Sequence, residues 1–399
     1  MPEIPSVEEL RRAGLAAGLH DLGVTTADPL VEARRAIEER KAAGLHGGMW
    51  FTYGRPERST DPGRILSGAR SILVGVRRYH REGDPRPEAN QGRVARYVYR
   101  REYEHLSRAL EEVAVVLRDR GWRAEVVLDD NRLVDRAAAY RAGLGWLAKN
   151  TNLISERLGS WLVLGSVVTD CPLEAAAGVR PDGCGPCNRC RTACPTDALS
   201  TAGVLDARRC LAWLVQAPGT FPLRYREALG DRLYGCDICQ EVCPVNLRTA
   251  APGSDDAPTG ASPSHGGWSD TGGTEGSETG ISPHPDVVAL LEMDDDTLLS
   301  QFGHWYIPRR RPEYLRRNAL IVLGNIGDPA DPATEAVLAR CLRHESAVVR
   351  AHAVWAARRL GLDHLFPLCG LDPSDEADPD VRAEFESDVR PRIGQDGRP

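Results

Sequence analysis

The residues best suited to chemistry are eight cysteines between Cys184 and Cys243. The run CGPCNRCRTACP places Cys184, Cys187, Cys190 and Cys194 in the spacing C-x2-C-x2-C-x3-C-P. CDICQEVCP adds Cys236, Cys239 and Cys243, and Cys210 lies between the two runs. Two-residue gaps turn the backbone tightly enough to aim successive sulfurs at corners of one cubane, and in two-cluster ferredoxins the fourth cysteine of such a run ligates the other cluster. The spacing therefore predicts two [4Fe–4S] clusters. One is assigned to Cys184, Cys187, Cys190 and Cys243, the other to Cys194, Cys210, Cys236 and Cys239. Zinc and disulfides are the alternatives, but zinc ribbons rarely carry three cysteines at consecutive two-residue gaps. Of the three cysteines outside the set, Cys341 occupies an apolar helical position and reads as core, while Cys171 and Cys369 carry no signal.

Clusters pass single electrons, so a neighbouring site must turn them into bond chemistry and hold a proton donor. About 180 residues precede the cysteines, and a helical module follows them. At 399 residues the chain is long enough for two or three domains. Hydrophobic content of 42% and charged content of 27% are ordinary for a globular protein. No apolar run approaches the roughly 20 residues that span a bilayer. MPEIPSVEELRRAG lacks the basic-then-apolar order of a signal peptide, and clustered cysteines without an export signal fit a reducing cytoplasm. A net charge of −7 does not favour nucleic acid, so any such contact needs a local basic patch. Arg309, Arg310, Arg311, Arg316 and Arg317, within nine residues, are the candidate, with a solvated basic end as the plainer reading.

The elements that must position these groups follow from periodicity. Ser6 and Glu9 form a capping-box pattern ahead of a helix over 6–20, and 31–44 reads as a second helix. Strands are expected at 24–30, 71–79, 124–130 and 161–170, with an amphipathic helix at 101–121 that stops at Gly121 and another ending near Gly143. The fold class is α+β: an N-terminal mixed α/β domain over 1–175, a ferredoxin-like domain over 176–250, and a Gly/Ser/Thr/Pro-rich disordered linker over 251–284. HEAT-like helices follow over 285–365, from patterns at 312–328, 333–346 and 347–361, and 366–399 reads as an acidic, solvated tail.

Four stretches together resemble the epoxyqueuosine reductase family, cobalamin-dependent enzymes that complete the queuosine modification of tRNA. They are LSGARSILVGVRRY (66–79), AEVVLDDNRLVDRAAAYRAGLGWLAKNTNLI with GSWLVLGSV (124–167), the cysteine domain with LYGCDICQEVCPVN, and YLRRNALIVLGNIGD. The resemblance covers nearly all of the chain except the linker and the tail. It implies that the N-terminal domain binds cobalamin with its cobalt open below, and the chain has no D-x-H-x-x-G pattern to supply a cobalt-ligating histidine. It further implies that Asp129 is the proton donor, with Asp130 as the alternative one register away. A carboxylic acid in that role needs a raised pKa, which burial can supply; the plain reading of Asp129 and Asp130 is a strand-end turn. The family's cobalamin contacts map onto Arg58, Tyr97, Asp129, Asn152, Ile154, Gly165, Cys236 and Asp237. Lys149 and Asn150 either hold corrin amides or cap a turn. The chain departs from the family at DDNRLVD, where "DSAPVLE"-like residues are usual, and at REYE, where Glu104 replaces a histidine.

The expectation is a cytoplasmic, monomeric reductase of epoxyqueuosine in tRNA, supplied by an external one-electron donor such as a flavodoxin or ferredoxin, with no membrane partner. Two others are kept beside it: a ferredoxin-like carrier that activates a corrinoid protein, and a corrinoid-dependent reductase of a small molecule.

Overall fold

The structure is a computed structural model, and it describes residues 2–80, 87–249, 282–389 and 391–392. The expected linker therefore lies outside the described residues, apart from 282–284. Two compact units divide the chain. The first takes residues 1–83, 100–208 and 237–275; the second takes 84–99, 209–236 and 276–399. Sequence reading gave the cysteine segment a domain of its own. Its residues fall in both units: Leu211, Phe221, Leu229 and Leu233 join the core of the second, while Cys184 and Cys243 pack with Trp146 and Ile154 in the first.

The first unit is built on a four-stranded antiparallel sheet of β1 (Asp21–Thr26), β2 (Ser71–Arg78), β3 (Ala124–Leu128) and β4 (Leu162–Thr169), in the order β1-β2-β4-β3. Three helices serve it: α1 (Val7–Ala16), α2 (Glu102–Asp119) and α3 (Asp135–Arg141). Both faces of the sheet are covered. Leu73, Val163 and Val167 pack with Leu106 and Leu110 of α2, while Ile72, Val74, Val127 and Val168 pack with Ala138 and Ala139 of α3. Burial on both sides is why SILVGV reads as a continuous apolar run rather than as an alternation. Ser6 caps α1 by accepting from the Glu9 amide at 3.1 Å, but Glu9 turns to Arg120 at 2.5 Å instead of closing the capping box.

Gly165 of β4 lies opposite Gly75 of β2 and Leu128 of β3. A β-carbon at 165 would fall 2.7 Å from Leu110 and 2.9 Å from Leu128, and one at 75 would fall 2.8 Å from Leu110. The two glycines thus form the seat on which α2 lies. Leu110 and Leu106 lie over Gly165 on this face, which is the close-packing role of such a glycine.

The second unit is helical around α4 (Val287–Glu292), α5 (Glu313–Ile326), α6 (Pro332–Leu342), α7 (Ala347–Leu360) and α8 (Pro379–Glu386). α5 packs on α7 and α4, and α7 also packs on α6 and α8. The acidic tail is not a solvated end: Asp378 caps α8, Val381 is fully buried, and Phe385 meets Phe366 edge-on at 5.0 Å. Glu384 makes a two-pronged ion pair with buried Arg226, at 2.8 and 2.5 Å. Among the described residues, no helix is long and apolar enough to cross a membrane.

Two stability outcomes follow. Gly165→Ala should cost about 1–3 kcal/mol by overpacking, and less in a Leu110→Ala background. Equal cost in the two backgrounds, read by denaturant unfolding, would rule out the seat for α2. Glu384→Ala leaves Arg226 buried and unpaired, and should cost about 3–5 kcal/mol. Replacing both with apolar residues of similar size should cost less than that single change.

Candidate functional site

β2 and β3 both run antiparallel to β4, so their C-terminal ends lie at one end of the sheet, beside the start of β4. The groups that carry chemistry gather there, where α2 and α3 begin. Arg77 of β2 binds Glu102 of α2 at 2.5 Å and the Gly18 carbonyl at 2.9 Å, which fixes the first turn of α2 against the end of β2. Tyr79 follows the strand and Tyr103 follows Glu102, so this buried pair sets the positions of both tyrosines.

Asp129 is the first residue after β3 and has φ +48°, a left-handed conformation that aspartate adopts more readily than most residues. Burial raises its carboxyl above the usual range, and Asp130 adds to the shift. Asp129 nevertheless keeps accessible surface; a group walled by protein but open on one side shows this combination. Asp130 is occupied otherwise: its two oxygens accept from the Arg132 amide at 2.6 Å and from Nε at 2.7 Å. The alternative register for the proton donor is therefore disfavoured.

Sequence reading missed three residues of this group: Asp135, Tyr103 and Arg136. Burial pushes Asp135 up to about 8, and Asp129 and Asp130 contribute further, with Arg136 opposing. One Asp135 oxygen is buried without a hydrogen-bond partner. Burial and then Asp129 raise the Tyr103 hydroxyl. Arg136, whose charge burial disfavours, keeps an exposed side chain, as a cleft wall does. The signal was present in DDNRLVD, where a third acid falls six residues after Asp129 at a helix start.

Tyr79 joins this acidic group to the cysteine loops. It receives a hydrogen bond from Gln240 Nε2 at 3.3 Å, and its hydroxyl is raised by burial, then by Asp237, with Tyr103 and Cys239 adding smaller pushes. Asp237 is itself buried, and its carbonyl accepts from the Gln240 and Glu241 amides at 2.8 and 2.9 Å.

Cys184, Cys187, Cys190 and Cys243 come together in the first unit. Burial pushes the Cys190 thiol up, and Cys184, Cys243 and Cys187 push it further. Among the described residues no three His, Cys, Asp or Glu side chains stand as ligands of one metal ion; four thiolates around a cubane each take a different iron, so their sulfurs need not converge. All eleven cysteines are free of disulfides. In the other predicted set, Cys194 and Cys239 belong to the first unit, and Cys210 and Cys236 to the second.

The remaining expected contacts separate by position. Arg58 is exposed on the short helix Pro56–Ser59, whose Ser59 carbonyl accepts from the Val134 amide just ahead of α3. Asn152 is half-buried, and its amide donates to Asn150 Oδ1 at 3.2 Å. The Ile154 side chain is buried with Trp146, Val245 and Cys243, so it faces the first set of thiols. Tyr97 packs on the core of the second unit. Lys149 and Asn150 hold cysteine loops: Lys149 Nζ donates to the Gly185 and Cys187 carbonyls at 2.6 and 2.9 Å, and Asn150 Nδ2 donates to the Cys239 carbonyl at 3.2 Å.

Two of the five arginines proposed for nucleic acid are structural. Arg317 is fully buried and donates to the carbonyls of Leu214, Val215, Ala217 and Gly219 at 2.7–3.2 Å; burial lowers it to about 9. Arg316 is buried against Asp295 and the Met293 carbonyl. Neither guanidinium is available to a phosphate. Arg309, Arg310 and Arg311 remain exposed.

Residues 183–246 match the family model of a 4Fe-4S double cluster binding domain, a span that includes all eight cysteines. The chain is 31% identical to an epoxyqueuosine reductase of Listeria monocytogenes, over 89% of each chain. It is 33% identical to one from Gloeobacter violaceus, over 81% of this chain and 98% of the relative. A crystal structure of epoxyqueuosine reductase with an epoxyqueuosine-modified tRNA-Tyr stem loop has a TM-score of 0.80 and 27% identity, covering 95% of this chain and 96% of the other. A Bacillus subtilis epoxyqueuosine reductase structure, with its catalytic loop swung out of the active site, has a TM-score of 0.78 at 27% identity and the same coverage. Identity above 30% along most of its relatives' length, together with the matching cysteine domain, means that this chain belongs to the epoxyqueuosine reductase family.

Proposed function

We infer that this chain reduces epoxyqueuosine in tRNA to queuosine, with cobalamin and two [4Fe–4S] clusters. The observation that carries the reading is the run of electrostatic influence in the first unit from Cys239 and Asp237 through Tyr79 and Tyr103 to Asp129 and Asp135. It supports a reading in which an electron-supplying loop and a group of carboxyls with raised pKa serve the same end of one sheet.

Removing the epoxide oxygen as water and forming the carbon–carbon double bond takes two electrons and two protons. Cobalamin, when bound, supplies a cobalt centre that accepts electrons singly and acts on the carbon–oxygen bond. We assign it to the residues around these acids. Tyr103, Asp135 and Arg136 keep accessible surface although their charged forms are strongly desolvated, and the unpartnered Asp135 oxygen awaits a donor. Arg58, Asn152 and Asp237 are assigned to hold the cofactor. Burial and then Asp130 oppose the ionisation of Asp129, and it delivers its proton to the departing oxygen. Arg309, Arg310 and Arg311 are assigned to tRNA phosphates, with the helices of 285–365 read as HEAT-like from the packing of α5 and α6 on α7. The remaining assignments are a monomer, a cytoplasmic location and an external one-electron donor.

The direct test is anaerobic reconstitution with iron, sulfide and cobalamin, followed by assay on epoxyqueuosine-containing tRNA. Bound cobalamin without turnover would sink the substrate reading. Asp129→Asn should keep clusters and cobalamin while losing about 10²–10⁴-fold in turnover; an unchanged rate would remove its role. Asp135 gives a pH signature. An unfolded aspartate titrates near pH 4, and the folded one near 8, so the native state holds a proton that the unfolded state has released between those values. Stability contributed by this group therefore falls as pH rises through the window. Asp135→Asn should raise Tm relative to the parent at pH 8 and leave it unchanged near pH 4; an equal shift at both would refute the raised carboxyl.

A further inference from the structure

The block GLGWLAKN, 143–150, lies against the Cys184 loop rather than merely ending a helix. Trp146 is 7% exposed, and its indole N–H is buried without a hydrogen-bond partner among protein groups. Its ring lies against residue 183, where a β-carbon would come within 2.6 Å of it, so glycine is required immediately before Cys184. Cys184 and Cys243 both pack into the small apolar group that Trp146 forms with Ala148, Ile154 and Val245. Cys184 directly follows the glycine that the Trp146 ring covers and packs on the same apolar group, so its sulfur is the ligand nearest in sequence and packing to this unpartnered donor. The Lys149 ammonium is held in the same loop by the carbonyls of Gly185 and Cys187 and by Asn188 Oδ1 at 3.4 Å.

We propose that, with the first cluster in place, Trp146 donates its indole N–H to the Cys184 thiolate and that, with the ammonium of Lys149, it raises that cluster's reduction potential. The physical basis is charge. Reduction adds an electron to an assembly that is already anionic, so donors to its sulfurs and a nearby fixed cation favour the reduced form. Burying the site under Ile154 and Val245 works the other way by excluding water, which makes the remaining donors decisive. Trp146 and Lys149 are thus positioning residues that make the first cluster able to accept an electron from a donor of moderate potential. The inference rests on the assignment of Cys184, Cys187, Cys190 and Cys243 as ligands.

The experiment is a redox titration of the intact, anaerobically reconstituted protein, followed by electron paramagnetic resonance of both clusters. Cys184→Ser identifies the first cluster by altering one of the two signals; if it alters neither, the ligand assignment fails and the proposal with it. Trp146→Phe keeps a ring in place and removes the donor. It should keep the iron content and weaken reduction of the signal that Cys184→Ser altered by about tenfold, which is about 59 mV for one electron, leaving the other signal unmoved. Lys149→Met should shift the same signal in the same direction, and Lys149→Arg should restore most of it. Unchanged potentials in Trp146→Phe, or equal shifts of both clusters, would overturn the proposal. If Trp146→Phe loses the cluster, the unsubstituted protein decides: with ¹⁵N-indole tryptophan, the reduced first cluster should show a coupling to indole nitrogen, and its absence would refute the hydrogen bond.

Discussion

The constraint on which the rest of the molecule depends is that the cysteine loops cannot fold by themselves. They are short and polar, and the apolar group around Cys184 and Cys243 draws Trp146, Ala148 and Ile154 from outside the segment. Without a core, their thiols would be placed only by metal. Strong hydrogen bonds do the rest: Lys149 to the Cys184–Asn188 loop, Asn150 to the Cys239 carbonyl, and Asn246, whose Nδ2 donates to the Gln240 carbonyl at 2.8 Å while its Oδ1 accepts from the Ser160 amide at 2.7 Å. Each joins a cysteine run to a loop flanking β4. The ligand geometry is borrowed from the first unit.

That borrowing also joins electron supply to proton supply. The Gln240 side chain that hydrogen-bonds Ser160 also meets Tyr79, and Tyr79 lies one residue beyond β2. The Arg77–Glu102 pair locks the same strand end to α2, and hence fixes Tyr103 beside Asp129 and Asp135. Three acids near one another cannot all ionise in a desolvated space, because each carboxylate opposes the next. Asp130 pairs with Arg132, while burial and the neighbouring acids oppose ionisation of Asp129 and Asp135. The division of roles among adjacent aspartates is thus decided by one arginine and by depth.

In the second unit, buried charge serves stability. Arg317 donates to four backbone carbonyls, and Arg226 is held by Glu384 from a segment that looks solvated in the sequence. A buried guanidinium is tolerated when its donors are matched, and it is costly to leave unmatched. This is why an arginine cluster in a sequence is a poor guide to a binding surface: Arg316 and Arg317 look the same as Arg309–Arg311 until their depth is known.

The sequence by itself determined the cysteine spacing and the principal strands and helices, because those signals are local: two-residue gaps, apolar runs and caps. Asp129 became a candidate through the family resemblance of the stretch that ends β3. What only the tertiary structure decided depends on distance in space. Gly165 seats a helix because Leu110 lies over it, and Lys149 straps the Cys184 loop. Asp135 and Tyr103 joined the site because two helices start at the end of the same sheet. Depth, which fixes whether a charge is solvated, paired or neutralised, is a property of packing, and no pattern along the chain records it.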